Sequence, residues 1–180
     1  RFVVNAFYEL PFGQGRKFAQ TGLANWVAGG WSLSAFALFQ TGPYYTPSFS
    51  GADPANTGGS GGRPDRIGSG ELSNPTIDRW FDPTAFVALP TGVGRFGNAG
   101  VNILRAPGSK AMNLGLYKKF DLSERLKLQM EGTFTNVLNH PNFAAPAANI
   151  SVSSAGRIGG TQSLENTGPR TIRLGLRLTF

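Results

Sequence analysis

The stretch Arg170-Thr-Ile-Arg-Leu-Gly-Leu-Arg-Leu-Thr-Phe180 alternates polar and apolar residues from Thr171 to its aromatic end. Because successive side chains of a β-strand point to opposite faces, this alternation predicts a strand with one apolar and one polar face. The apolar face would carry Ile172, Leu174, Leu176, Leu178 and Phe180, and the polar face Thr171, Arg173, Gly175, Arg177 and Thr179.

The length of this predicted strand favours a membrane strand. Its eleven residues, at about 3.3 Å each and tilted by roughly 40°, rise about 28 Å, which matches the apolar band, about 25 Å tall, of a transmembrane β-barrel. Strands of soluble proteins commonly have about five or six residues, although a half-buried soluble strand alternates in the same way. We therefore expect the apolar face to meet lipid and the polar face to meet the barrel lumen.

The overall composition limits the other classes of protein. The 180 residues include no cysteine, so the chain has no disulfide and no thiolate metal site. The net charge of +7 forms no basic run, and segment 41–109 is neutral, which argues against nucleic-acid binding. No apolar run reaches 18 residues, which excludes only helical membrane spans. Because the chain opens at Arg1 inside a strand-like run, we expect a fragment of a longer protein.

Four further stretches show strand patterns. We predict five strands in all, at about 1–10, 31–40, 111–120, 125–137 and 170–180. In the fourth strand, alternation places Leu126, Leu128, Met130 and Phe134 outward and Arg125, Lys127, Gln129, Glu131 and Thr133 inward. In the second strand both faces are partly apolar, so its inward face stays ambiguous.

The connections between these strands alternate in length. The short turns are about 11–29 and 121–124, and the long loops are about 41–109 and 139–169. Outer-membrane barrels have short periplasmic turns and long extracellular loops. We therefore assign 11–29 and 121–124 to the periplasmic side and 41–109 and 139–169 to the extracellular side. The first turn has room for one short amphipathic helical turn around Leu23, Trp26 and Val27. The predicted fold is an all-β, antiparallel transmembrane β-barrel, with an aromatic girdle on the periplasmic side formed by Trp31, Phe120 and Phe180.

Several motifs occur in a fixed order. The terminal octet 173–180 resembles the signal by which the outer-membrane assembly machinery recognises barrel precursors, with Arg173, Gly175, Leu178 and Phe180 in its defining positions. Upstream lie Gly62-Arg-Pro-Asp-Arg-Ile-Gly68, Trp80-Phe-Asp-Pro-Thr-Ala-Phe86, Phe96-Gly-Asn-Ala-Gly100, Asn102-Ile-Leu-Arg-Ala-Pro-Gly108 and Asn136-Val-Leu-Asn-His-Pro-Asn-Phe143. Together they resemble the C-terminal barrel region of TonB-dependent receptors of the Oar-like type, over essentially all of residues 1–180.

This resemblance implies a large barrel in the outer membrane that takes up a scarce solute with energy from an inner-membrane TonB complex. The plug domain, the TonB-contacting box and the remaining strands would lie outside this fragment. The expected partners are outer-membrane lipid, the barrel-assembly machinery, the protein's own plug and the TonB complex, with no catalytic activity and no cofactor. Two alternatives remain open: a porin or adhesin barrel without energy coupling, and a soluble carbohydrate-binding β-sandwich.

Two groups of residues are candidates for ligand binding. The charged lumen-facing set is Arg125, Lys127, Glu131, Arg173 and Arg177, which could contact solute or plug, or form a charge ladder across paired strands. The loop aromatic set is Tyr44, Tyr45, Trp80 and Phe81, which could stack on a ligand or simply pack the loop.

Three motifs with possible chemistry have simpler interpretations. Gly92-Val-Gly-Arg-Phe-Gly97 fits a dinucleotide-binding pattern, but no βαβ unit surrounds it, so we predict a turn. His140 is the only histidine and precedes a proline, which favours a loop residue over a metal ligand. Asp78 and Asp82 match no calcium-loop spacing and are expected to be solvated or to pair with Arg79.

Overall fold

The computed structural model describes residues 1–162 and 167–180. By their internal contacts these residues form two compact units. The first unit, which we call the sheet unit, comprises Arg1–Gln40, Ser109–Asn142 and residues 167–180. The second, the loop unit, comprises Thr41–Gly108 and Phe143–Gln162.

The elements follow one another in an almost entirely β order. They are β1 (Phe2–Glu9), α1 (Gly22–Ala28), β2 (Trp31–Gln40), β3 (Tyr44–Tyr45), β4 (Asp65–Arg66), a 3-10 turn (Pro83–Ala85), β5 (Phe86–Val87), β6 (Leu104–Arg105), β7 (Ser109–Asp121), β8 (Lys127–Thr135) and β9 (Thr171–Thr179). In the described part of the chain, no helix has the length and apolar character needed to cross a membrane.

The sheet unit is a single antiparallel sheet in the order β1-β2-β7-β8-β9. Its five strands coincide with the five predicted stretches to within two residues at most ends, and the antiparallel all-β prediction is confirmed. The largest shift is in the fourth strand: β8 begins at Lys127 and ends at Thr135. Arg125 therefore lies in the turn 122–126, where Leu126 O accepts from the backbone N–H groups of Leu122 and Ser123. Its predicted place on an inward strand face was wrong.

The strand register joins the apolar residues into one continuous face, which we call the apolar face. Between β8 and β9, Leu128 lies opposite Leu178, and Met130 lies opposite Leu176. The other strands add Phe2, Val4, Ala6 and Tyr8 from β1, Trp31, Leu33, Ala35, Ala37 and Phe39 from β2, and Met112, Leu114 and Leu116 from β7. Leu174 is 81% exposed and Leu176 72% exposed. Such large aliphatic side chains are left exposed in quantity where a membrane or another protein surface covers them.

The same register settles the ambiguous second strand. Ser34 lies opposite Phe7 of β1 and Gly115 of β7. Two residues further along β2, Phe36 lies opposite Asn113. The even-numbered residues of β2 therefore belong to the opposite surface of the sheet, which we call the polar face. The sequence could not show this, because an apolar Phe36 sits among the polar residues of that face.

Two lysines lie on the apolar face: Lys110, opposite Phe39, is exposed, whereas Lys118 is buried. Lys118 of β7 is flanked by Trp31 and Met130 on the neighbouring strands, yet it is only 3% exposed. The C-terminal end of α1 covers it, at the place where a short helical turn was predicted. Its Nζ donates to three backbone oxygens there, those of Trp26 (2.9 Å), Val27 (2.6 Å) and Gly29 (2.9 Å). A buried ammonium group is tolerated because all three of its protons are donated.

The loop unit is ordered around a hydrophobic core of its own. The core consists of Phe81, Ala85, Phe86, Ala99 and Leu104, with Tyr45, Ile103 and Ile150 packed against it. Two short ladders, β3 with β6 and β4 with β5, join distant parts of the segment. Segment 41–109 is thus a loop in the sense that strands cover few of its residues, but these residues pack as a small folded body.

Candidate functional site

The polar face carries a depression of about 760 Å³ near the middle of the sheet. It lies over four adjacent strands, β1, β2, β7 and β8, and its lining includes Arg1, Asn5, Ser34, Phe36, Asn113, Tyr117 and Thr133. Six of these side chains offer amides, hydroxyls and aromatic rings, and Arg1 adds a positive charge. The arrangement suits a polar solute or a protein surface, since aromatic rings provide contact area and the amides provide hydrogen bonds.

Two glycines allow side chains to lie flat against the polar face. A Cβ on Gly115 would overlap the hydroxyl of Ser34 and come within 2.8 Å of the Tyr117 hydroxyl. A Cβ on Gly175 would lie 2.7 Å from Oε1 of Glu131 and 2.8 Å from its Cγ. The absence of a side chain at each glycine therefore makes room for its neighbour, as expected where glycine lies within a strand.

The charged candidates lie beside this depression. Glu131 faces Gly175 across the ladder, while Arg173 lies opposite Thr133 and Arg177 opposite Gln129. β8 and β9 do pair, as the charge-ladder alternative required, but the described residues show no ion pair between Glu131 and either arginine. Lys127 shares this face, whereas Arg125 belongs to the turn. Their proposed contact with solute or plug stays a prediction.

The four loop aromatics have separate surroundings. Tyr44 is exposed, and the guanidinium of Arg105 lies 5.2 Å from the centre of its ring. Trp80 donates from Nε1 to the backbone oxygen of Arg105 at 2.8 Å. Phe81 is 1% exposed in the core, and its ring meets the edge of the Tyr45 ring at 6.0 Å. Burial thus removes Phe81 from the candidates for ligand stacking and favours the packing alternative for this residue.

Tyr45 is the one loop aromatic with an unsatisfied polar group. Its hydroxyl is buried and has no hydrogen-bond partner among the described residues. Burial raises the pKa of Tyr45 well above its usual value, so this hydroxyl stays protonated. A pocket of about 240 Å³ lies between Tyr45, Trp80 and Arg105.

The first four motifs that resemble receptor sequences lie in the loop unit. Asp65 accepts two hydrogen bonds from the Arg95 guanidinium (2.8 and 2.6 Å) and one from the Asn98 backbone N–H (3.0 Å). Arg63 donates to the backbone oxygen of Ala99 at 2.9 Å. A Cβ on Gly97 would overlap the carbonyl oxygen of Arg63. The motifs at 62–68 and 96–100 thus meet at backbone contact distance, and their role in this structure is to hold the loops together.

The fifth motif contains two amide clamps that the sequence gave no reason to single out. Asn136 donates from Nδ2 to the backbone oxygens of His140 (3.0 Å) and Gly168 (2.8 Å). Asn142 donates from Nδ2 to Thr167 O (2.8 Å) and accepts at Oδ1 from the N–H of Lys110 (2.6 Å). Both amides are buried. They fix residues 136–142 to the end of the second long connection.

The remaining candidates have the simpler roles expected of them. Gly92 and Gly94 adopt positive φ in a turn, and no helix follows in residues 98–108. Asp82 accepts from Arg79 at 2.8 Å and from the N–H of Thr84, which caps the 3-10 turn. Asp78 accepts from Arg157 at 3.2 Å. Among residues 1–162 and 167–180, no three potential ligands are grouped closely enough to hold a metal ion.

The sheet geometry agrees with a comparison against protein-family models. Residues 1–173 match the model of the outer membrane beta barrel domain. The chain belongs to this family. No curated protein and no solved structure matches the chain.

As an outer membrane beta barrel domain, the protein resides in the outer membrane, and its apolar face is the lipid-facing surface. The exposed leucines of β9 are accounted for by lipid rather than by a second sheet. The soluble β-sandwich alternative is therefore wrong. Trp31 and Phe120 lie at one end of the apolar face, beside Lys118 and the 122–126 turn, and Phe180 follows β9 at the same end. This is the arrangement expected of an aromatic girdle at a membrane boundary.

Because Asp65 pairs with Arg95 as a carboxylate, we expect the loop unit of this outer membrane beta barrel domain to become less stable in acid. The hydrogen bond from Arg95 and the N–H of Asn98 lower the pKa of Asp65 to about 2. Because the folded state holds this carboxylate ionised, its stabilising effect is present above pH 4 and is lost as the pH falls towards 2. We expect pepsin to cleave the loop unit progressively faster between pH 4 and pH 2.

The matched test is the isosteric substitution Asp65→Asn, which should weaken this pH dependence. Some dependence will remain, because hydrogen bonds also lower the pKa values of Asp53 and Asp82. Asp78→Asn is the control, since Asp78 is exposed and has only the contact with Arg157. An Asp65→Asn profile as steep as that of the unmodified protein would contradict the assignment.

Proposed function

We propose that this outer membrane barrel is part of a receptor for TonB-dependent uptake of a solute that is not yet identified. The observation that carries the proposal is the loop unit, in which the receptor-like motifs build one ordered framework with its own core. A receptor that captures a scarce solute benefits from a preorganised loop surface, because ordering loops on binding costs affinity. A passive pore has no such requirement.

The proposal assigns the two parts of the chain to successive steps of uptake. In this proposal the loop unit makes first contact with the solute, and the depression over Asn5, Asn113 and Tyr117 belongs to the lumen-facing side of the sheet. The plug and the TonB-contacting segment belong to another part of the protein. The TonB complex is then a partner through that other part and not through residues 1–180.

A second partner within this proposal is the barrel-assembly machinery. The residues that resemble its recognition signal are Arg173, Gly175, Leu178 and Phe180. Phe180 is 95% exposed, and Leu178 is more than half exposed on the same surface. The Phe180 ring and the Leu178 side chain are thus accessible to a binding partner before lipid covers them.

The test compares three bacterial strains: the parent, a deletion of the gene for this protein, and a strain without the TonB complex. Each is grown in the same complex medium, and the solutes depleted from the medium are measured by mass spectrometry. We expect at least one solute to stay in the medium in both mutant strains. Its uptake should return to the first mutant when the gene is restored.

The alternatives give different results. For a passive porin, a solute would remain in the medium after deletion of the gene but would be consumed normally without TonB. For an adhesin, no solute would depend on the gene, while attachment to surfaces would. Either result would overturn the uptake proposal.

A further inference from the structure

We propose that α1 is an interfacial anchor that inserts Leu23, Trp26 and Val27 into the lipid layer at the edge of the barrel. The partner is the apolar boundary of a phospholipid leaflet. The proposal rests on the position of α1 beside the apolar face, on the exposed side chains of the helix, and on the contacts that hold it there. It does not depend on which solute the barrel transports.

The three anchor residues share one side of the helix. Residues three and four positions apart are neighbours on a helix surface, so Leu23, Trp26 and Val27 form one patch. They are 83%, 61% and 60% exposed, respectively. The opposite side is used differently: Asn25 is half-buried and accepts from the backbone N–H of Gln14 at 3.0 Å. The helix therefore turns its polar residue towards the protein and its large apolar residues away from it.

The C-terminal end of α1 is attached to side chains of the lipid-facing surface. Lys118 donates to three of its backbone oxygens, and the Trp31 Nε1 donates to that of Val27 at 2.9 Å. The Trp26 ring packs on Phe120, with 5.4 Å between ring centres. Lys118, Trp31 and Phe120 all belong to the face that meets lipid. The apolar patch of α1 is thus continuous with an established lipid interface.

The chemistry of the helix fits lipid better than a water-filled space. The sequence Gly22-Leu-Ala-Asn-Trp-Val-Ala28 contains no charged residue. Lys118, which contacts the helix end, is buried beneath it and stacks on Trp31 (4.9 Å) and Phe120 (4.6 Å). A tryptophan with an apolar body and a polar edge is enriched at the boundary between lipid and water.

Site-directed spin labelling tests this placement in the complete protein, reconstituted in phosphatidylethanolamine and phosphatidylglycerol vesicles. The 180 residues contain no cysteine, so Leu23→Cys and Val27→Cys each introduce one labelling site in this chain. The label's collision rates with oxygen, which concentrates in lipid, and with a water-soluble nickel chelate are measured. We expect labels at both positions to collide more with oxygen and several-fold less with nickel than a water-exposed label.

Glu124→Cys supplies the water-exposed reference. Glu124 lies in the 122–126 turn, at the same end of the sheet, and is exposed. Folding of every variant is checked by the shift of the unheated band in a denaturing gel. Nickel accessibility at positions 23 and 27 equal to that at position 124, in folded protein, would overturn the proposal. Protection from both oxygen and nickel at positions 23 and 27 would also overturn it, because it would indicate burial against protein.

Discussion

Gly42→Ala is expected to unfold the loop unit while leaving the five-stranded sheet in place. A Cβ on Gly42 would overlap the carbonyl oxygen of Ala106 and approach Pro107 O at 2.8 Å. Backbone atoms cannot move aside as a side-chain end can, so segments 41–43 and 105–107 must separate. That separation removes the hydrogen bonds from Ala106 N to Pro43 O (2.9 Å) and from Arg105 Nε to Gly42 O (3.3 Å). The pairing of β3 with β6 then loses its support.

Limited trypsin digestion of the membrane-inserted protein measures this effect. We expect Gly42→Ala to accelerate cleavage after Arg105 at least about tenfold, which corresponds to a loss of about 1.4 kcal/mol in the stability of the loop unit. The gel shift of the folded barrel should be retained, because no strand of the sheet contains residue 42. Gly159→Ala is the matched control, since a Cβ there meets no atom within 4 Å. Equal digestion of the two variants would show that segments 41–43 and 105–107 do not depend on each other.

Asn136→Asp is expected to destabilise the sheet unit strongly. The substitution keeps the shape of the side chain and removes both N–H groups that bind His140 O and Gly168 O. Each buried group left without a partner costs about 1–3 kcal/mol, and a charged group costs more. Aspartate also tolerates the positive φ of 46° at this position, so the effect reports hydrogen bonding and not backbone strain. The temperature at which the gel shift disappears should fall by several degrees.

Asn139→Asp provides an unusually close control. Asn139 is three residues away, has a similar φ of 50°, and is exposed with no side-chain hydrogen bond among the described residues. Its substitution introduces the same charge into the same connection, and we expect the transition temperature to stay within a degree or so of the unmodified protein. A comparable loss of stability in both variants would mean that the added charge, and not the lost clamp, is responsible.

The sheet could be predicted from the sequence where one face is apolar throughout. β8 and β9 alternate without interruption, and a register slip of one residue would turn Arg173 and Arg177 towards lipid. β2 lacks that constraint, because Phe36 and Leu38 occur on its polar face. Which face of β2 is polar follows only from its pairing with β1 and β7. β7 is separated from β2 by the long segment 41–108.

The position of Lys118 illustrates a second limit. Alternation places it on the apolar face, where a lysine contradicts a lipid-facing strand. Only the structure shows that the end of α1, almost ninety residues earlier in the chain, supplies three acceptors for its ammonium group. A contact of this kind depends on where a connecting turn folds back, which no local pattern encodes.

The loop unit was the least predictable part of the chain. Its thirteen glycines and eight prolines over 41–109 favour turns, and its hydrophobic residues show no strand or helix period. The core forms because single residues such as Phe81, Phe86 and Leu104 meet from separate turns. The aromatic residues proposed as ligand contacts were chosen from composition alone, and composition cannot distinguish a core phenylalanine from an exposed one.

Gly175 serves two purposes, the proposed recognition during assembly and packing between neighbouring strands. It belongs to the terminal signal proposed for recognition during assembly, and it also makes room for the Glu131 side chain on the neighbouring strand. A larger residue at position 175 fits this sheet only if the Glu131 side chain moves away or is replaced by a smaller one. A change at position 175 would therefore affect the packing of Glu131 as well as the terminal signal, whereas a change at the 95% exposed Phe180 would leave that packing intact.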